Sequence, residues 1–105
     1  MRNRNTNRSG GSFSATVVAS VWNKGQVVTG YDPATVRKDT CGALMKKDDY
    51  GKTQSKYGWE VDHIQPVSKG GTDDLSNLQP LQWENNRSKG DDYPNWYCAV
   101  RSAAE

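Results

Sequence analysis

Cysteine and histidine are scarce in this chain, which has two Cys and one His among 105 residues. A structural zinc site needs four Cys or His ligands, so the chain cannot build one alone and no structural zinc is expected. Cys41 and Cys98 are predicted to remain unpaired thiols, because cysteines of cytosolic proteins are usually reduced.

Long apolar runs are also absent. No segment approaches the roughly 20 apolar residues of a membrane span, and the polar N-terminus lacks the apolar core of a secretory signal. We therefore expect no membrane association and a cytoplasmic location. A hydrophobic fraction of 33% and a mean hydropathy of −0.95 predict a small core, to which the four Trp and five Tyr supply much of the apolar area.

The chain has little excess charge. A formal net charge of +2 and a pI near 8.6 are compatible with nucleic-acid binding but do not require it. The first residues are rich in Arg, Asn, Ser and Gly and contain no acid. Residues 1–12 are therefore predicted to form a flexible basic arm, and residues 13–105 a single domain.

Hydrophobic periodicity predicts a small α+β domain. Apolar residues recur at helical spacing from Ala15 to Lys24, which predicts a helix with Gly25 as its C-cap. A short strand is expected at residues 43–45. A stronger strand pattern covers residues 58–64, followed by a loop, a strand at 78–81 and a helix at 83–89.

The strand at 58–64 raises a geometric question. Alternation places Trp59, Val61 and His63 on one face and Glu60, Asp62 and Ile64 on the other. Asp62 and His63 can therefore serve one site only if the strand ends or bends at this dipeptide. A lone His is usually an ordinary residue, but these two precede a Pro- and Gly-containing loop, where reactive groups are often placed.

The surrounding residues resemble the HNH (ββα-metal, or His-Me finger) endonucleases over about a third of the chain. The resemblance is carried by the spacing of four elements: Asp62-His63, Gly70-Gly71, Asn77-Leu78, and the run Asn86-Arg87-Ser88-Lys89-Gly90. It implies a core of two short antiparallel strands and a helix at about residues 57–91. The N-terminal helix and the arm are additions to that ββα-metal finger.

The resemblance implies a role for each matched position. Asp62 corresponds to the first metal ligand, and His63 to the general base that activates water. Asn77 corresponds to the Asn that braces the loop and orients the His, and Asn86 to the second metal ligand. Asn86 is preferred to its neighbour Asn85, which lies about 100° away around a helix.

The implied chemistry is phosphodiester hydrolysis with a divalent cofactor. An ordinary His is largely neutral near pH 7 and can accept a proton from water. Asp and Asn oxygens suit a hard cation, Mg²⁺ or Mn²⁺, whose shell water and substrate complete. Substrate contacts are expected from Arg87, Lys89 and Arg37. Glu60 is a candidate to join the metal site or to hydrogen-bond to one of its ligands, although a salt bridge to Arg37 or a Lys is the plainer alternative.

The chain departs from the family pattern at two points. Many HNH proteins carry paired CxxC motifs that bind zinc and brace the fold, and this chain has none. Packing is expected to replace them, through Trp22, Trp59, Trp83 and Trp96. The helix also lacks a second His, which favours Mg²⁺ or Mn²⁺ over nickel or zinc.

These features predict a metal-dependent DNA endonuclease that nicks with low sequence specificity and acts as a monomer or weak dimer. Two alternatives stay open. A non-catalytic nucleic-acid-binding module with an HNH-like fold would bind DNA without cleaving it. A protein-interaction domain stabilised by its aromatic residues would bind neither DNA nor metal.

Overall fold

The computed structural model describes residues 4–101. They form two helices and two antiparallel strand pairs: α1 (Ala15–Trp22), β1 (Val36–Lys38), β2 (Leu44–Lys46), β3 (Trp59–His63), β4 (Leu78–Gln82) and α2 (Trp83–Lys89). The predicted α+β class is confirmed, and the order β3–β4–α2 fits a ββα finger. No helix within the described residues is long and apolar enough to cross a membrane.

Helix α1 begins where its sequence supplies a cap. The Ser14 side chain accepts a hydrogen bond from the backbone N–H of Val17, which satisfies one of the exposed amides of the first turn. The predicted C-cap at Gly25 is wrong, because the helix is already capped at Asn23. Gly25 lies instead against Arg37, and a Cβ at Gly25 would stand 3.0 Å from the Arg37 Cβ.

The pairing of β3 with β4 accommodates a proline. Val61 lies opposite Pro80, which has no N–H to give to a ladder. The Val61 N–H points instead to the outer edge of β3, where it donates to Asn5 Oδ1 at 2.9 Å. The same oxygen accepts from the Tyr50 hydroxyl, so part of the predicted arm covers the sheet edge.

Only some of the predicted arm and domain is described. Residues 1–3 of the arm and residues 102–105 of the domain lie outside the described range. The flexibility of residues 1–12 stays a prediction, because the contacts of Asn5 show where that residue lies and not how much it moves.

The hydrophobic core lies between α1 and one face of the β3–β4 sheet. Its buried members come from α1, β2, β3 and β4: Val21, Trp22, Met45, Trp59, Val61 and Leu78. The rings of Trp22 and Trp59 meet at a tilted angle with centroids 5.1 Å apart, a favourable aromatic geometry. Trp83 and Trp96 lie outside this cluster and are partly exposed, so only half of the predicted tryptophan brace forms.

A buried carboxylate supplies a second brace. Asp39 is 1% exposed and accepts four hydrogen bonds. Its Oδ1 accepts from the amides of Cys41 and Ala43, and its Oδ2 accepts from the Gln82 amide and the Asn85 side chain. These bonds join the β1–β2 hairpin to the start of α2 and match the acceptor capacity of an ionised carboxylate.

A disulfide joins Cys41 to Cys98, so the prediction of unpaired thiols is wrong. Their Cα atoms are 5.9 Å apart, within the span that a disulfide bridges. The adjoining segment is held by Asn85, which donates to the Val100 carbonyl and accepts from the Val100 amide. The disulfide and Asn85 together fasten the C-terminal segment to the rest of the domain.

Reduction of this disulfide should destabilise the domain. The cross-link spans 57 residues, and removing it frees the unfolded chain, which typically costs about 3 kcal/mol. Urea unfolding with and without a thiol reductant measures the loss. The double variant Cys41→Ser/Cys98→Ser should start less stable and should not respond to reductant. Equal unfolding midpoints for the oxidised and reduced wild type would contradict the expectation.

Candidate active site

Strand β3 and helix α2 place three of the predicted site residues around one cavity of about 200 Å³. Asp62 and His63 reach it from β3, and Asn86 reaches it from α2. Arg4 and Asn5 of the N-terminal segment also line it. The cavity therefore brings together the predicted base and both predicted metal ligands.

Strand β3 ends at His63, the second residue of the dipeptide, as the sequence analysis required for a shared site. Up to that residue it stays paired with β4, and the two side chains contact different elements. Asp62 faces α2, where it meets Lys89, whereas His63 packs beside Phe13 with ring centroids 5.8 Å apart. Both residues reach one cavity because it lies at the outer edge of β3, which Asn5 also contacts.

Lys89 lies buried behind the cavity and is only 1% exposed. Its Nζ donates to the His63 carbonyl at 2.9 Å and lies 3.3 Å from Asp62 Oδ1. One cation thus ties α2 to two consecutive residues of β3. The expected contact of Lys89 with substrate is wrong, because its ammonium group points into the protein.

Burial raises the pKa of the Asp62 carboxyl group, since desolvation penalises its charged form. The Lys89 charge opposes that shift, as does a hydrogen bond from Gln79 Nε2 to Asp62 Oδ2 at 2.9 Å. Each carboxylate oxygen has two lone pairs, so both oxygens keep capacity for a further ligand.

Glu60 orients Asn86. The Asn86 Nδ2 donates to Glu60 Oε1 at 2.8 Å, and both residues are buried. An ionised carboxylate only accepts hydrogen bonds, so the amide nitrogen must face Glu60 and the amide oxygen must point elsewhere. No ion pair of Glu60 with Arg37 or a Lys forms within residues 4–101, and Glu60 contacts Asn86 instead.

Asn77 closes the loop between β3 and β4. Its Oδ1 accepts from the Gln65 amide, and its Nδ2 donates to the carbonyls of Gln65 and Thr72. Gly71 is required beside it, because a Cβ there would stand 1.7 Å from the Gln65 carbonyl oxygen. Asn77 does brace this loop, although it makes no direct hydrogen bond to the His63 ring.

Asp73, in the same loop, is a residue that the sequence analysis did not select. Its Oδ1 lies 2.8 Å from His63 Nε2. The same carboxylate accepts from the backbone N–H of Arg8 at 3.0 and 3.1 Å. In the sequence, Asp73 is one of several paired loop acids, and no spacing rule distinguished it from Asp74.

The predicted substrate-binding cations are dispersed. Arg37 donates to three backbone carbonyls, those of Pro33, Asn23 and Gly25. Arg87 is exposed and stacks over the Trp83 ring with its guanidinium carbon 4.9 Å from the centroid. Arg4, which was assigned only to the arm, lines the cavity itself.

The donor set at the cavity fits a hard divalent cation with few protein ligands. Asp62 offers a carboxylate and Asn86 an amide oxygen, both of which are ligand types for Mg²⁺. Within residues 4–101 there is no group of three or more His, Cys, Asp and Glu that could hold a metal. Water and substrate oxygens would therefore supply most of the shell, which is common for Mg²⁺.

Comparison with known families agrees with this geometry. The sequence profile of the family described as HNH endonuclease matches residues 40–92, a span that contains β2, β3, β4 and α2. The chain belongs to the HNH endonuclease family. No curated protein and no solved structure matches it. HNH proteins are nucleases that act on nucleic acids and generally use divalent metals, so membership indicates nuclease chemistry for this HNH domain.

Replacing Lys89 with Met should destabilise the HNH domain most strongly near neutral pH. The substitution leaves the Asp62 charge buried without its partner, a loss of about 3–5 kcal/mol for a broken buried pair. It also removes a group that lowers the Asp62 pKa, so in the variant that pKa rises further above its value in the unfolded chain. The native state then binds the proton first, and stability recovers as pH falls through the raised pKa.

Urea unfolding of Lys89→Met at a series of pH values measures this effect. The matched control is Arg87→Met on the exposed side of the same helix, which should stay close to wild type at every pH. Equal stability of the two variants at pH 7 would contradict the assignment of Lys89.

Proposed function

We propose that this HNH domain is a metal-dependent endonuclease that hydrolyses phosphodiester bonds of DNA, with His63 as the general base. The observation that supports the proposal is the meeting of Asp62, His63 and Asn86 at one cavity. A base and two oxygen donors side by side match what water activation at a phosphate requires.

Each residue at the cavity has a separate role in the proposed reaction. His63 accepts the proton of the attacking water. Asp62 and Asn86 would hold the cation, while Lys89 and Glu60 keep those two side chains in place. A divalent cation such as Mg²⁺ or Mn²⁺ would supply positive charge that stabilises the scissile phosphate and the leaving oxygen.

Weak, sequence-independent contact with DNA accords with the distribution of charge. The net charge is only +2, and the exposed cations near the site include Arg4 at the cavity and Arg87 on the exposed side of α2. Arginines at these places suit phosphate oxygens, which position a duplex without reading its bases. We therefore propose nicking with low sequence specificity.

A non-catalytic nucleic-acid-binding module is the second candidate. The observation that favours it is the occupation of both Asp62 oxygens, by Lys89 and by Gln79. A cation at this site shares the carboxylate with a buried ammonium group, which weakens metal binding. Salt-dependent DNA binding without cleavage in Mg²⁺ or Mn²⁺ would favour this candidate.

Replacement of His63 by Ala tests the base. Purified wild type should nick supercoiled plasmid in Mg²⁺ or Mn²⁺ and not in EDTA. The variant should be roughly 100-fold slower or worse, the usual loss when a general base is removed. Gln54→Ala, at an exposed position away from the cavity, is purified identically and should nick like wild type. Equal metal-dependent nicking by all three proteins would contradict the assignment of His63 as the general base.

Replacement of Glu60 tests the support of the metal ligand. Glu60→Ala removes the acceptor that orients Asn86, so the metal concentration for half-maximal nicking should rise about 10- to 100-fold. Glu60→Gln keeps an amide oxygen that can accept the same bond and should stay much nearer to wild type. An unchanged metal requirement in Glu60→Ala, compared with wild type, would contradict this role.

A further inference from the structure

We infer that Asp73 is the positioning residue of His63, holding a proton on Nε2 so that Nδ1 is the nitrogen that accepts the proton from water. The inference deepens the proposed endonuclease function and rests on it, because it takes His63 as the base. Nothing in the family match assigns a role to this loop carboxylate.

The contact between the two residues sets the direction of the hydrogen bond. The distance of 2.8 Å between His63 Nε2 and Asp73 Oδ1 is that of a charge-assisted bond. An ionised carboxylate can only accept, so Nε2 must carry the hydrogen. A neutral imidazole with its hydrogen on Nε2 has its acceptor lone pair on Nδ1 alone.

The ring and the carboxylate are both held from several sides. The His63 side chain is 10% exposed and lies against the Phe13 ring. Asp73 is 43% exposed, but its two oxygens accept from the Arg8 backbone N–H. Asn77 shapes the loop that presents Asp73. The N-terminal segment and the β3–β4 loop thus meet at the base.

Other charged groups near His63 act at different atoms. Asp62 lies on the opposite face of β3, and Lys89 binds the His63 backbone carbonyl. Arg4 and Asp91 line the same cavity. In the part of the chain that the structure describes, Asp73 is the charged group that hydrogen-bonds to the His63 ring, so the choice of tautomer depends on it.

The proposed step is balanced in atoms and charge. A water proton moves to Nδ1, and the ring becomes an imidazolium whose second N–H still points to Asp73. The water oxygen bonds to phosphorus, the bond from phosphorus to the 3′ oxygen breaks, and that oxygen takes a proton from solvent. The imidazolium then releases its Nδ1 proton to solvent, which restores the neutral base. A neutral side chain at position 73 would stabilise the imidazolium less and could present a donor to Nε2, which selects the wrong tautomer.

Nitrogen NMR of the full chain tests the tautomer directly. The sequence contains one His, so ¹⁵N-histidine labelling reports on a single ring at a pH where that ring is neutral. We expect a protonated Nε2 and an unprotonated Nδ1 in wild type, and transfer of the proton toward Nδ1 in Asp73→Asn, whose side-chain N–H can donate to Nε2. The matched control is Asp74→Asn, which removes the charge of the neighbouring residue. Asp74 contacts Thr72 and not the His63 ring, so this variant should keep the wild-type tautomer.

Plasmid nicking by the same proteins separates this inference from the proposed function. Asp73→Asn should lower kcat by roughly 10- to 100-fold with little change in KM, as expected when a base is misdirected, and Asp74→Asn should match wild type. A wild-type ring protonated on Nδ1, or an unchanged tautomer and kcat in Asp73→Asn, would overturn the inference. Wild type that never nicks, with the ring protonated on Nε2, would overturn the endonuclease proposal instead.

Discussion

The site depends on the contacts that the buried ammonium group of Lys89 makes with strand β3. The ammonium group joins α2 to β3 by binding the Asp62 carboxylate and the His63 carbonyl together. A charge so deeply buried is costly unless it is paired and hydrogen-bonded, so strand and helix are confined to an arrangement that satisfies it. Because Asn86 lies one turn before Lys89 on α2, the same arrangement brings Asn86 to the cavity beside Asp62 and His63.

Polar and covalent links brace the domain where many HNH proteins use zinc. Asp39 joins the β1–β2 hairpin to the start of α2 through four hydrogen bonds. The disulfide of Cys41 with Cys98 fastens the C-terminal segment, and Asn85 hydrogen-bonds to that segment. The two adjacent asparagines of α2 therefore have different roles. Asn85 hydrogen-bonds to Asp39 and to the C-terminal segment, and Asn86 lines the cavity.

Local sequence pattern accounts for the parts of the structure that depend on neighbours along the chain. Alternation predicts β3, and the resemblance to HNH endonucleases predicts that Asp62, His63 and Asn86 meet. It could not predict that Lys89 points inward, because the pattern shows only that a cation follows Asn86 by three positions. Asp73 and the disulfide depend on distant segments meeting in the fold, and the expectation of unpaired thiols rested on a presumed reducing compartment.

The central claim is that Asp62 and Asn86 hold a divalent cation beside His63. Anomalous diffraction from crystals of the wild-type chain soaked in Mn²⁺ tests it most directly, since manganese can be located without reference to activity. The account predicts a peak within coordination distance of an Asp62 carboxylate oxygen and of Asn86 Oδ1. A fully soaked crystal with no peak at the cavity, or with Mn²⁺ bound only elsewhere, would contradict it.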